Sequence, residues 1–268
     1  MIRKPAVAGM FYPEKKKDLE NFITEYYQAF ERPEITCMGI VSPHAGYVYS
    51  GAVAAKTYAG ISIPNRVIIL SPNHTGLGTM AAVAPQSEWE TPLGNVKTDL
   101  DLAKKLVETS KYMNFDPTAH IREHSAEVQL PFLQVKKPDI RIVPITMMYM
   151  SLDIVRDIGH TIAGVIKNTG EPILIVASSD MNHYEPQSVT NRKDKIAIER
   201  IVNMDPVGLN TVIHEYNISM CGYIPAIAML TAAMDLGAKK AELVDYRTSG
   251  DVSGDYSSVV GYAGIIVK

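Results

Sequence analysis

Cysteine is scarce in this chain. Two residues, Cys37 and Cys221, stand among 268, too few for a disulfide framework, so the expected setting is a reducing cytoplasm. An excess of positive charge is missing as well. Lys and Arg number 26 against 29 Asp and Glu, a formal net charge of -3, which leaves no basic footprint for nucleic acid. No stretch approaches the roughly 20 apolar residues of a membrane span, and the opening M-I-R-K-P-A has no apolar core of a secretory signal. The glycine-rich run Ser249 to Asp255, S-G-D-V-S-G-D, lacks the lysine of a Walker-type phosphate loop. Linkers, low-complexity tracts and long repeats are also absent, so residues 1–268 read as one domain.

What is present is an alternation of short apolar runs with amphipathic segments, the pattern of an α/β protein with a partly parallel sheet flanked by helices. Leu19, Phe22, Ile23, Tyr26 and Tyr27 make one helical face, in a helix expected to end near Arg32-Pro33. Further helices are expected at Ser50–Tyr58, Asp99–Thr109 with Asp99 as cap, Ser125–Leu133, Leu152–Lys167, Asn191–Asn203 and Pro206–Glu215, with another opening at Cys221-Gly222-Tyr223. Pro5 to Pro13 reads as an ordered loop and Trp89 to Asn95 as a turn or protruding loop. Strands are expected at Met80–Ala84, Arg141–Met148, Ala241–Tyr246 and Ser257–Val267.

Three other apolar runs end alike. Met38 to Val41 leads into Ser42-Pro43-His44, Arg66 to Leu70 into Ser71-Pro72-Asn73-His74, and Ile173 to Ala177 into Ser178-Ser179-Asp180-Met181-Asn182-His183. The carboxyl ends of strands in open α/β sheets are where ligands gather, so His44, His74 and His183 are expected to share one site. His120, His160 and His214 lack that context and are expected at the surface or on helices. Neutral imidazole is a common metal ligand and thiolate a softer one. Cys221, at a helix start, is expected to have its thiol pKa lowered by the helix dipole, whereas Cys37, before a core strand, reads as buried and inert. Asp180 either orients an imidazole or caps its loop. Glu123, His124 and Glu127 fall close enough to project toward a common region, and Tyr47 and Tyr49 either line a pocket or, as is commoner near a sheet edge, pack with their hydroxyls at the surface.

Seven segments in this order, P-A-V-A-G-M-F-Y-P, S-P-H-A-G-Y-V-Y-S-G, S-P-N-H, T-P-L-G, E-H-S-A-E-V-Q-L-P-F-L, S-S-D-M-N-H-Y and M-C-G-Y-I-P, make the chain resemble the Memo (mediator of cell motility) family nearly end to end. That family is similar in fold to the class III extradiol dioxygenases, α/β proteins with non-heme iron. The resemblance implies a single domain with a central mixed sheet, metal binding by His44 and His74, an acid/base role for His183, and Cys221 in place of a metal-binding glutamate. A thiolate there softens the site toward Cu(I) or Zn as well as Fe(II), so ring cleavage does not carry over with the fold. Iron or copper binding with a redox role is implied, and for animal members phosphopeptide binding in the same pocket. Three functions follow as expectations: an iron or copper oxidoreductase acting on an unidentified small molecule or peptide, with Asp180 supporting His183; a peptide-binding module aided by Arg122; and a zinc-dependent hydrolase.

Overall fold

A computed structural model describes residues 1–30 and 33–268. The expected helix end near Arg32-Pro33 falls partly outside the described residues. In chain order the elements begin with β1 (Ile2–Arg3), α1 (Lys16–Ala29), β2 (Gly39–Ser42), α2 (Tyr47–Ala59) and β3 (Arg66–Pro72). They continue through β4 (Ala81–Val83), β5 (Glu88–Thr91), β6 (Gly94–Thr98), α3 (Leu100–Thr109) and β7 (Met113–Phe115). After two 3-10 turns come α4 (Leu130–Lys136), β8 (Arg141–Met147), α5 (Leu152–Thr169), β9 (Ile173–Ser178) and β10 (His183–Glu185). The chain closes with α6 (Gln187–Val202), α7 (Pro206–Glu215), α8 (Tyr223–Asp235), β11 (Ala241–Thr248), α9 (Gly250–Ser253) and β12 (Val259–Val267).

The strands form one mixed sheet in the order β1-β5-β6-β8-β3-β9-β2-β12-β10, with β11 on β12 and β4 and β7 beside β8. Its centre, β8-β3-β9-β2, is parallel throughout. A parallel centre needs cover on both faces, so its strands read as continuous apolar runs. Alternate residues then serve opposite cores. Ile68, Leu70, Ile175 and Ala177 face one apolar cluster with Leu102 of α3, Ile158 of α5, Ile198 of α6, Leu209 of α7 and Ile227 of α8. Val67, Ile69, Leu174 and Val176 face the other, with Leu19 of α1, Ala54 of α2 and Leu133 of α4.

Helix α8 is buried from Ile224 to Ala233, as expected of a helix that is apolar all round. It lies against α5 where a side chain at Gly159 would stand 2.7 Å from the Ala228 carbonyl, so only glycine permits the approach. Asp99 caps α3 by accepting from the Leu102 amide at 3.0 Å, and Pro206 opens α7, both as the sequence predicts. Trp89 to Asn95 is part of a hairpin, β5 paired antiparallel with β6 around the expected turn, at Pro92-Leu93. The glycine-rich run contains the short α9, where Asp251 accepts from the Thr248 amide; β7 has no counterpart in the sequence reading.

Candidate metal centre

Strands β3, β9 and β2 are neighbours and parallel, so their carboxyl ends lie side by side. His74 leaves β3 two residues past its end, Asp180 leaves β9 likewise, and His44 leaves β2 likewise. A common exit length from three in-register strands puts the three side chains on one edge. Cys221 arrives from the turn before α8, and Gly222 makes that approach possible: a Cβ there would stand 2.2 Å from the Ser178 carbonyl. The Gly222 amide instead donates to Ser179 Oγ at 3.0 Å, fixing the α8 entrance to the β9 exit.

These groups open onto a cavity of about 600 Å³ with His124, His183, Phe11, Tyr184 and Tyr262 also on its wall. The metal-ligating atoms of His44, His74 and Cys221 all lie within 4.8 Å of one another. Cys221 Sγ is 3.2 Å from His44 Nε2 and accepts from the Asp180 amide at 3.3 Å. Burial, with the Asp180 carboxylate nearby, pushes the Cys221 thiol up. That reverses the expectation drawn from its position at a helix start, because removal from water outweighs a partial dipole charge.

Each imidazole has its own support. His44 is buried, with Nδ1 2.9 Å from Ser178 Oγ, and burial followed by the neighbouring His74, His124 and His183 holds its pKa well below the usual value. His74 sits at the open side; its amide and Nδ1 reach Glu123 at 2.6 and 2.9 Å. Burial opposes charge on His74, but the Glu123 hydrogen bond and charge prevail and raise its pKa. Glu123 is itself desolvated, yet the His74 bond and charge and the Ser125 donors hold it at about 2, so it is a carboxylate that accepts. His183 places Nδ1 2.9 Å from the Ser219 carbonyl.

Asp180 Oδ1 accepts from the His44 and Ala45 amides at 2.8 and 3.3 Å, and Oδ2 stands 3.9 Å from His44 Nε2. Asp180 caps the β2 exit that carries His44, not the β9 loop it lies on as expected, and burial raises its pKa against those hydrogen bonds. Among the described residues no Lys or Arg lines the cavity; Arg122 is exposed and outside it.

Glu123, His124 and Glu127 do not share one region. His124 lines the cavity, stacking on His74 at 4.7 Å between ring centroids and lying 4.7 Å from Phe11, and Glu123 is buried behind His74. Glu127 turns the other way, accepting from Arg3, the Ala6 and Val7 amides and Tyr12 Oη. Nor does Ser125 cap a helix; its hydroxyl reaches the Pro72 carbonyl and Glu123. His120, expected at the surface or on a helix, ends a short 3-10 helix, Thr118–His120, and is fully buried, with Nδ1 3.1 Å from Thr146 Oγ1. Burial, then the Arg3 charge, lowers it to about 4. His160 and His214 lie exposed on α5 and α7 as expected, and Cys37 is buried in the core. Tyr47 is buried with its hydroxyl on the Val128 carbonyl instead of reaching the surface, and neither it nor the exposed Tyr49 lines the cavity. The polar E-H-S run singles out Glu123 and His124 in the sequence, but not their roles, His124 on the cavity wall and Glu123 as the partner of His74.

A solved structure of an uncharacterised protein from Escherichia coli K12 has a similar fold, at a TM-score of 0.61 with 15% identity, covering 87% of this chain and 100% of that one. A MEMO1 family protein of Methanothermobacter thermautotrophicus is 43% identical over 98% of this chain and 99% of its own. One of Methanocaldococcus jannaschii is 43% identical over 100% and 99%. Residues 3–266 match the family described as Memo-like protein, and with helices on both faces of one mixed sheet and relatives matched end to end, the chain belongs to that family.

Proposed function

We propose that this chain is a metal-binding protein of oxidoreductase type, holding iron or copper with His44, His74 and Cys221, with His183 as proton-transfer group and Asp180 in support. One observation carries the reading: two imidazole nitrogens and a thiol sulfur lie within 4.8 Å of one another at the edge of a cavity. Two nitrogens and one sulfur suit borderline and soft metals. A bound iron or copper ion would supply one-electron redox chemistry beside a cavity open to a substrate.

The chain's own residues do the rest. Glu123 orients His74, Asp180 fixes the β2 exit that carries His44, and His183, tied at Nδ1 to a carbonyl that only accepts, has Nε2 available to take a proton from a bound molecule. Phe11, Tyr184 and Tyr262 supply apolar wall. The same donors also suit zinc with water as fourth ligand, and hydrolysis of an ester or amide panel by zinc-loaded protein would move the assignment there. Binding of an acidic peptide has less support, since no Lys or Arg lines the cavity among the described residues.

Protein purified without oxygen should carry about one iron or copper per chain, and Cys221→Ser should bind it more weakly. Equal metal content in wild type and a His44→Ala, His74→Ala double variant would sink the proposal.

A further inference from the structure

We infer that Ser178, clamped by the Ser125 carbonyl and the Gln129 amide, fixes His44 in the tautomer with its proton on Nδ1, turning the Nε2 lone pair toward Cys221. A neutral imidazole has two tautomers, and which one a protein holds is set by the partner of the nitrogen facing away from the site. For His44 that partner is Ser178 Oγ, a hydroxyl that could donate or accept. Its neighbours settle which.

Ser178 Oγ has three contacts: the Ser125 carbonyl at 2.7 Å, Gln129 Nε2 at 2.9 Å and His44 Nδ1 at 2.9 Å. All four residues are buried, so each contact must be a hydrogen bond rather than an exchange with water. Gln129 is oriented by two further contacts. Its nitrogen donates to the Pro43 carbonyl at 2.9 Å and its oxygen accepts from Tyr58 Oη at 2.9 Å. A flipped amide would set two carbonyl oxygens against each other at Pro43, so the end facing Ser178 is the NH₂ donor. The Ser125 carbonyl only accepts, and Ser178 is its hydrogen-bond partner, so it takes the single hydroxyl proton. Both lone pairs of Ser178 Oγ are then acceptors, one for Gln129 and one for His44. His44 Nδ1 must therefore carry the proton, and Nε2, 3.2 Å from Cys221 Sγ, is left with an open lone pair.

His74 and His183 reach the same state by different means, through the Glu123 carboxylate and the Ser219 carbonyl. Ser178 is thus a positioning residue for His44. The tautomer stands on hydrogen-bond accounting alone; its consequence for metal affinity rests on the proposed metal site.

The test is long-range ¹H–¹⁵N correlation NMR on metal-free, ¹⁵N-histidine-labelled full-length protein, with His44 assigned by its loss in His44→Asn. The expected result is a protonated Nδ1 and a pyridine-type Nε2. In Ser178→Ala both tautomers should appear, and iron or copper affinity should fall 10- to 100-fold, the range for losing a group that orients a ligand; Ser178→Thr should restore both. A proton on Nε2 in wild type, or an unchanged His44 signature in Ser178→Ala, overturns the inference. Wild type that shows the expected tautomer and binds neither iron nor copper overturns the metal site and leaves the Ser178 clamp standing.

Discussion

Glu123 and Glu127 lie four residues apart in the same segment, both buried and both ringed by donors, yet they build opposite kinds of polar interior. Around Glu127 both carboxylate oxygens are taken: Arg3 pairs with it and also donates to the His120 and Glu123 carbonyls, Tyr12 and two amides complete its shell, and Trp89 lies 4.5 Å below the guanidinium. Around Glu123 the hydrogen bonds stop one ring short. His74 is held at Nδ1 and its far side reaches the cavity beside His44 and Cys221. The first cluster ties the opening strand and loop to the 120–129 segment and offers nothing to a ligand. The second spends its hydrogen bonds on aiming side chains outward.

The contrast breaks first at Glu127. Glu127→Ala strands Arg3 as an unpaired buried charge and should cost about 3–5 kcal/mol in denaturant unfolding, while metal bound per folded chain stays at the wild-type level. Loss of metal at full stability would erase the distinction between the clusters. Glu123→Gln keeps the shape but removes the charge that orients His74. Iron or copper affinity should fall 10- to 100-fold, and unfolding should show a smaller stability loss than Glu127→Ala; an unchanged affinity would mean Glu123 is merely structural.

A smaller effect probes the Glu127 side by pH, where His120 lies beside Trp89 and its carbonyl accepts from Arg3. His120 is neutral in the fold, its pKa lowered from 6.5 to about 4, so as pH falls from 6.5 toward 4 the unfolded chain takes up a proton that the folded chain refuses. Stability from this group is therefore lost on acidification across that window. His120→Gln should flatten the difference in unfolding free energy between pH 6.5 and 4 relative to wild type; parallel profiles would show that His120 is not the group responsible.

Much of this was legible in the sequence because it depended on local order. A serine-led break directly after an apolar strand marks a strand exit, and three such exits pointed to one shared edge for His44, His74 and His183, which line one cavity. Asp99 and Pro206 announced their helices by position alone. What was not legible depends on partners distant in the chain. His120 follows no apolar run, and its burial comes from Trp89, 5.7 Å away between ring centroids, and from Arg3 on its carbonyl. Closeness in sequence alone groups Glu123, His124 and Glu127; the bend that sends Glu123 to His74 and Glu127, at the start of a 3-10 turn, to Arg3 depends on those distant partners. The helix start at Cys221 pointed to a lowered thiol pKa, but the sequence could not show that Asp180 and the β9 exit would enclose the sulfur.

X-ray absorption at the metal edge of anaerobically loaded protein tests the central claim most directly. The account predicts one sulfur scatterer at about 2.3 Å, the usual metal-thiolate distance, alongside imidazole nitrogens, with the sulfur lost in Cys221→Ser. A nitrogen and oxygen shell without sulfur in wild type, or a sulfur signal that survives in Cys221→Ser, would contradict it.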